Sequence, residues 1–174
     1  MNEKKKHIVL IGFKNVGKTV IGKMLAERLG RTFMDLDAEV EKRQGMRVRE
    51  MVEKGGEAKF RKIESEQLRK VLASTEPLVL ALGGGTPMLT DNQKLISEHN
   101  VVLITARKST VFARVMKGGR PPFFPKGGSD RESFEKIYAQ REPVYARIAH
   151  IKVRNERSVE DAVAEILEYS DITK

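Results

Sequence analysis

Residues 12–19 read G-F-K-N-V-G-K-T, preceded by the apolar run His7-Ile8-Val9-Leu10-Ile11 and followed by Val20-Ile21-Gly22-Lys23-Met24-Leu25-Ala26-Glu27-Arg28-Leu29. A strand that turns through glycines into a helix in this way commits the chain to a βα unit whose first turn cradles a polyphosphate. Glycines at Gly12 and Gly17 let successive backbone N–H groups point inward, and Lys18 supplies a positive charge for the β and γ phosphates. The Thr19 hydroxyl is a ligand for Mg²⁺, and the positive N-terminal end of the following helix favours any anion there. The plain alternative is a glycine-containing turn with a surface lysine. Lys14 and Asn15 stand where many such loops carry small residues, and Asn is the non-glycine residue that best tolerates positive φ.

Beyond this loop, strand-like and helix-like stretches alternate. Strands are expected at 7–11, 32–34, 78–82, 100–104 and 150–153, each rich in Val, Ile, Leu or Phe. Helical spacing runs through 18–29, 37–44, 47–54, 57–73, 90–98, 109–117, 131–146 and 158–169, with Gly30 and Gly45 closing the first two. Such alternation predicts an α/β fold, a parallel sheet between helices, with ligands at the carboxyl ends of the strands. One irregular stretch stands out, Gly118 to Asp130, with three prolines and four glycines. Loops of this length inside one domain are lids or linkers, and the prolines and phenylalanines around Arg120 favour a lid.

The 174 residues are expected to form one domain, with no cysteine for a disulfide or a thiolate metal site. Neither a signal-peptide core nor a long apolar run is evident, so the expectation is a soluble cytoplasmic protein. Residues 101–157 carry 13 Lys or Arg against 5 Asp or Glu, nearly all of the formal charge of +9. Nucleic-acid binding would use such a patch. With 6% aromatic residues and no Trp, however, stacking platforms are scarce, and a small anion wrapped by arginines explains the asymmetry better. The expected partner is therefore a small molecule, not a nucleic acid or a membrane, and the expected state is a monomer.

Further polar groups fall at strand ends. Asp35 and Asp37 follow the second strand, where side chains two apart allow separate roles, with Asp35 toward a Mg²⁺ at Thr19 and Asp37 toward a substrate hydroxyl. Alternatively both begin the next helix, with Asp37 as its N-cap. In G-E-A-K-F-R-K-I-E at 56–64, Arg61 and Glu64 share a helical face, which fixes a guanidinium able to grip a carboxylate or forms an ordinary surface pair. Gly83-Gly84-Gly85 ends the third strand; three glycines are costly to order, which favours close approach to a ligand over a plain turn. Arg120 and Arg141 are anion clamps or solvated arginines.

Taken in order, the loop at 12–19, D-x-D at Asp35 and Asp37, G-E-A-x-F-R-x-x-E at 56–64, G-G-G at 83–85, R-P at Arg120-Pro121 and R-x-P-x-Y at 141–145 resemble the shikimate kinase family. The resemblance covers all but the chain ends. It implies a three-layer P-loop kinase fold of the nucleoside-monophosphate-kinase type, with a central five-stranded parallel sheet, a mobile lid at about 118–131 and a substrate-binding helical segment at about 35–64. The implied reaction is ATP-dependent phosphorylation of the 3-hydroxyl of shikimate, with Mg²⁺. By the same resemblance Asp37, Arg61, Gly83, Gly84, Gly85 and Arg141 hold shikimate, and Lys18 and Arg120 meet the transferring phosphoryl group, so that Lys18, Asp37 and Arg120 carry catalysis. Thr19 and Asp35 surround the metal. The ATP site takes in Gly12, Asn15, Val16, Gly17, Lys18, Thr19, Val20 and Arg120, with Arg114 stacked on the adenine and the loop 155–158, including Arg157, on its other side.

Departures are the lid R-P-P-F-F where relatives more often have R-P-L-L, Val20 in place of a second hydroxyl residue, and Lys14 inside the loop. Other readings stay open: a kinase of the same fold for gluconate or a nucleoside monophosphate, or a nucleotide-binding protein without catalysis.

Overall fold

Strand β1 (Ile8–Ile11) is wholly buried, as is β3 (Leu78–Ala81) beside it, which is why both read as unbroken apolar runs and not as alternating ones. In the computed structural model, which describes residues 6–169 and residue 172, they lie at the centre of a five-stranded parallel sheet. The order is β2-β3-β1-β4-β5, with β2 at Thr32–Asp35, β4 at Asn100–Thr105 and β5 at Ile151–Arg154. Helices flank the sheet to give three α/β/α layers: α1 (Lys18–Leu29), α2 (Leu36–Gln44), α3 (Val48–Gly55), α4 (Glu57–Leu72), α5 (Thr90–Ser97), α6 (Lys108–Met116), α7 (Asp130–Ile148) and α8 (Val159–Leu167). Each strand and helix expected from the sequence is present, with ends shifted by one or two residues.

Two boundaries differ for identifiable reasons. Asp35, not Asp37, caps α2: its carboxylate accepts from the N–H groups of Asp37 and Ala38, leaving the Asp37 side chain one residue inside the helix and uncommitted to capping. Helix α7 starts at Asp130 on a capping box between Ser129 and Glu132 and continues through Pro143 to Ile148. That continuity sets Arg141 and Tyr145 four residues apart on one helical face.

The switch in strand order falls at β1, where the chain first builds β2 and β3 on one side and later β4 and β5 on the other. Ligand crevices form outside the carboxyl ends of strands at such a point. Here the loops after β1, β2 and β3 converge there. Four of the thirteen cations of residues 101–157 are in ion pairs, Arg107 with Glu156, Lys108 with Glu135, Arg120 with Asp130 and Lys152 with Glu142, all with carboxylates of the same stretch, so its basic excess is not neutralised by them. No helix among the described residues is long and apolar enough to cross a membrane.

Candidate active site

The loop after β1 is held by main-chain constraints that its sequence anticipates. At Gly12, φ is 140° and a Cβ would stand 2.2 Å from the Ile104 carbonyl oxygen, backbone that cannot step aside. Asn15 adopts the expected left-handed conformation at φ 62°. Its amide donates to the Arg114 carbonyl at 2.9 Å, tying the loop to α6. Val16 offers its carbonyl to the Asn155 amide at 2.8 Å and to Arg114 at 3.4 Å. Lys18 Nζ donates to the carbonyls of Gly12 at 3.0 Å and Phe13 at 2.7 Å, spanning the loop. Burial pulls the Lys18 ammonium down to about 8, with Asp37 and Asp35 opposing the shift and Arg141 adding to it.

Two cavities open from this loop. One, about 570 Å³, is lined by Asn15, Gly17, Lys18, Thr19, Val20 and Arg114 together with Lys117 and Gly118, matching most of the residues expected around a nucleotide. Its neighbour, about 560 Å³, contains Lys18, Thr19, Asp35, Asp37, Arg61, Glu64, Gly83, Gly84, Gly85 and Arg141. Asn15, Lys18 and Thr19 belong to both, so the cavities meet at the phosphate loop.

Within the second cavity the acidic and basic groups are ordered by a buried network. Arg61 Nη1 donates to Glu64 at 2.8 Å and Nη2 to Glu57 at 3.2 Å. Glu64 is fully buried and also accepts from the Thr86 hydroxyl at 2.7 Å, while the Thr86 carbonyl accepts from the Asn92 amide at 2.9 Å. Burial alone would lower the Arg61 pKa, but Glu64 and Glu57 outweigh it and the net shift is upward. Arg61 is therefore a positioned guanidinium and not an ordinary surface pair. Arg141 is buried and makes no ion pair among the described residues, and burial pulls its pKa downward. Tyr145 donates to the Gly84 carbonyl, and burial raises the Tyr145 hydroxyl to about 12.

Asp37 stands among these groups with its carboxyl raised to about 6. Burial is the main cause, followed by the carboxylates of Glu64 and Asp35, with Lys18 and Arg61 pulling the other way. A carboxyl poised near neutrality beside two cationic groups is suited to accepting a proton or hydrogen bond from an alcohol. Asp35 instead faces the phosphate loop, where its second oxygen accepts from the Thr19 hydroxyl at 3.1 Å. This pair of hard oxygen donors at the edge of a phosphate cradle fits Mg²⁺, which takes one or two protein ligands and completes its shell with phosphate oxygens and water. No cluster of three or more metal-ligating side chains occurs among the described residues.

The triple glycine is explained by these neighbours. A Cβ at Gly83 would meet Asp37 Oδ1 at 2.8 Å, at Gly84 Arg141 Nη1 at 3.1 Å, and at Gly85 Arg61 Nη2 at 2.1 Å. Each glycine thus makes room for one polar group of the cavity. Gly85 has φ −91° and ψ −18°, a conformation that alanine adopts freely. Gly85→Ala is expected to fold normally yet push the Arg61 guanidinium off its place. The acceptor KM should rise by on the order of tenfold with little change in the KM for nucleotide, as misplacing one binding group weakens only the ligand it holds. Steady-state kinetics with each substrate varied in turn checks this.

Four expected site residues line neither cavity: Gly12 and Val16, which brace the loop after β1 from within, and Arg120 and Arg157, which are engaged elsewhere. The Arg120 guanidinium is satisfied inside the lid segment by Asp130, by the carbonyls of Pro125 at 2.7 Å and Gly127 at 3.2 Å, and by the Ser133 hydroxyl at 3.1 Å. Arg157 lies in a separate groove with Lys152, Arg154, Glu156 and residues of α8. Asn155, two residues earlier, is the one that reaches the loop after β1, because it directly follows β5. The motifs assign no site role to Thr86, Asn92, Phe123 or Tyr145. Phe123 carries a signal as part of the R-P-P-F-F lid and Tyr145 as the end of R-x-P-x-Y, four residues from Arg141, whereas Thr86 and Asn92 carry none.

Comparison with known proteins points to one family. The family model described as shikimate kinase matches residues 14–170. A shikimate kinase of Pelotomaculum thermopropionicum is 36% identical over 165 residues, covering 94% of this chain and 95% of its own. The structure of shikimate kinase from Acinetobacter baumannii in complex with shikimate is similar at a TM-score of 0.86 and 28% identity, covering 95% of this chain and 93% of its own. For shikimate kinase from Aquifex aeolicus the TM-score is 0.81 and the identity 32%, covering 93% of this chain and 94% of its own.

Proposed function

This chain belongs to the shikimate kinase family, and we propose that it transfers the γ-phosphoryl group of ATP to the 3-hydroxyl of shikimate, giving shikimate 3-phosphate and ADP. The observation that carries the acceptor is the convergence of Arg61 and Arg141, eighty positions apart in sequence, on one cavity that Asp37 and Lys18 also line. Two guanidiniums suit a carboxylate and one carboxylate suits the ring hydroxyls. A nucleoside monophosphate brings no carboxylate to the two guanidiniums, and gluconate brings one but lacks the ring that would hold it at a fixed separation from the reacting hydroxyl.

Phosphoryl transfer passes through a loose transition state, so the protein contributes alignment and charge stabilisation. Asp37 receives the hydrogen bond of the 3-hydroxyl and takes its proton as the oxygen attacks the γ-phosphorus. Lys18 exchanges its contacts with the Gly12 and Phe13 carbonyls for the phosphate oxygens of the nucleotide. Thr19 and Asp35 would hold Mg²⁺, which would offset the phosphate charge. Arg114 packs along the nucleotide base. The lid, residues 118–131, closes over both ligands, and in closing Arg120 gives up Asp130 for the equatorial oxygens of the transferring group; exclusion of water follows. The protein acts as a monomer.

An assay of ADP release with shikimate and Mg²⁺-ATP, run beside gluconate and a nucleoside monophosphate, tests the reading. Turnover with shikimate alone is expected. Turnover with gluconate or a nucleotide and none with shikimate would overturn it.

A further inference from the structure

The lid carries two adjacent rings, and one of them lies on the acceptor arginine. The centroid of Phe123 is 4.7 Å from Arg141 Cζ, within the range of a cation–π contact, and Phe123 lines the acceptor cavity with Pro122. Its neighbour Phe124 is buried in the main core and meets Phe123 edge-on at 5.4 Å and 81°. A backbone bond from the Phe124 N–H to the Pro121 carbonyl at 3.1 Å closes the turn between them. The first ring is therefore held in place by the second, although Pro122 beside it is exposed. Close against the same guanidinium runs the Gly84 backbone, where a Cβ would stand 3.1 Å from Nη1.

A guanidinium donates hydrogen bonds only in its own plane, so a ring against its face costs no donor. Such a ring fixes the plane and keeps water from the face, and a carboxylate arriving at the edge then pairs in a less polar medium, where charge–charge attraction is stronger. Leucine, the more usual lid residue of the resembled family, supplies bulk without a π face. We infer that Phe123 is a positioning residue for carboxylate recognition, its ring covering one face of Arg141 so that the guanidinium presents its edge to the acceptor. The inference rests on the shikimate reading proposed above.

The test uses the full chain and two variants. Phe123→Leu keeps an apolar side chain and loses the ring, whereas Phe123→Tyr keeps the ring. For Phe123→Leu the KM and the calorimetric Kd for shikimate are expected to rise about five- to tenfold, with kcat and the KM for ATP within about twofold of the parent, the scale of a partly desolvated cation–π contact. Phe123→Tyr should restore the parent values. Inhibition by the carboxamide analogue of shikimate, which brings no anion to Arg141, should be equal in the parent and Phe123→Leu. Parent-like shikimate affinity in Phe123→Leu would overturn the inference, as would equal losses in both variants or an equal loss for the carboxamide. Failure of the parent to phosphorylate shikimate is a different result, which removes the proposed function and this inference with it.

Discussion

Lys18→Ala is expected to lower kcat/KM for phosphoryl transfer by on the order of 10³-fold or more, the scale of losing a charged group that stabilises developing charge in a water-poor site. Stability should move the other way or not at all. In the ligand-free protein the ammonium is satisfied by two loop carbonyls but pays for its burial, which is why its pKa lies near 8 and not at 10.5. The unfolded chain therefore binds more protons than the native one between pH 8 and 10.5, and native stability rises with pH through that window. Below it the penalty for the buried charge is fully present. The alanine variant lacks this penalty, so its thermal unfolding at neutral pH should occur no lower than the parent's, and its stability should lack the rise toward pH 10. Loss of activity through misfolding would appear instead as a lowered unfolding temperature.

Asp37→Asn should reduce kcat by about 10²- to 10⁴-fold, the range for removing a positioned general base. The parent's pH profile gives a sharper test. With a native pKa of about 6, Asp37 is ionised above that value and protonated below it, so kcat/KM for the acceptor should fall on the acid side with a midpoint near pH 6. The residual activity of the asparagine variant should lack that limb. Here too the stability sign opposes the activity sign. The native carboxyl holds its proton more tightly than the unfolded one, 6 against 3.8, so its contribution is favourable below pH 3.8 and is lost as pH rises through 6. At pH 7.5 the variant should unfold no lower than the parent. An unchanged acid limb in the variant would assign that limb to another group.

Both residues were legible without coordinates because each sits in a short motif whose backbone path is local. A glycine turn between a strand and a helix brings Gly12, Lys18 and Thr19 together within eight residues, and Asp35 and Asp37 follow directly from a strand end. Strand and helix positions were equally accessible, since buried parallel strands and amphipathic helices leave different periodicities. The sequence offered the division of labour between the two aspartates beside the alternative that both merely begin the next helix, and the choice between those readings was not accessible. It depends on Asp35 capping α2, a competition between neighbouring carboxylates for the same N–H groups that only the chain's path resolves.

The same distinction separates the arginines. Arg61, Arg120, Arg141 and Arg157 all stand in basic or motif-bearing stretches, and spacing sets apart only Arg61, through its helical pairing with Glu64. In the folded chain Arg61 is clamped by Glu64, which is itself fastened by Thr86, and Arg141 is buried under Phe123 beside Gly84. Arg120 is held by its own lid, and Arg157 faces another groove. What the linear order of residues decided was the set of parts: a phosphate loop, two strand-end carboxylates, a glycine run and a supply of guanidiniums, each formed by residues close in sequence. Which guanidinium is desolvated, which carboxylate is raised toward neutrality and which glycine makes room for which polar group were decided by the tertiary structure. Burial and charge coupling act between groups that the sheet order brings together from distant parts of the chain.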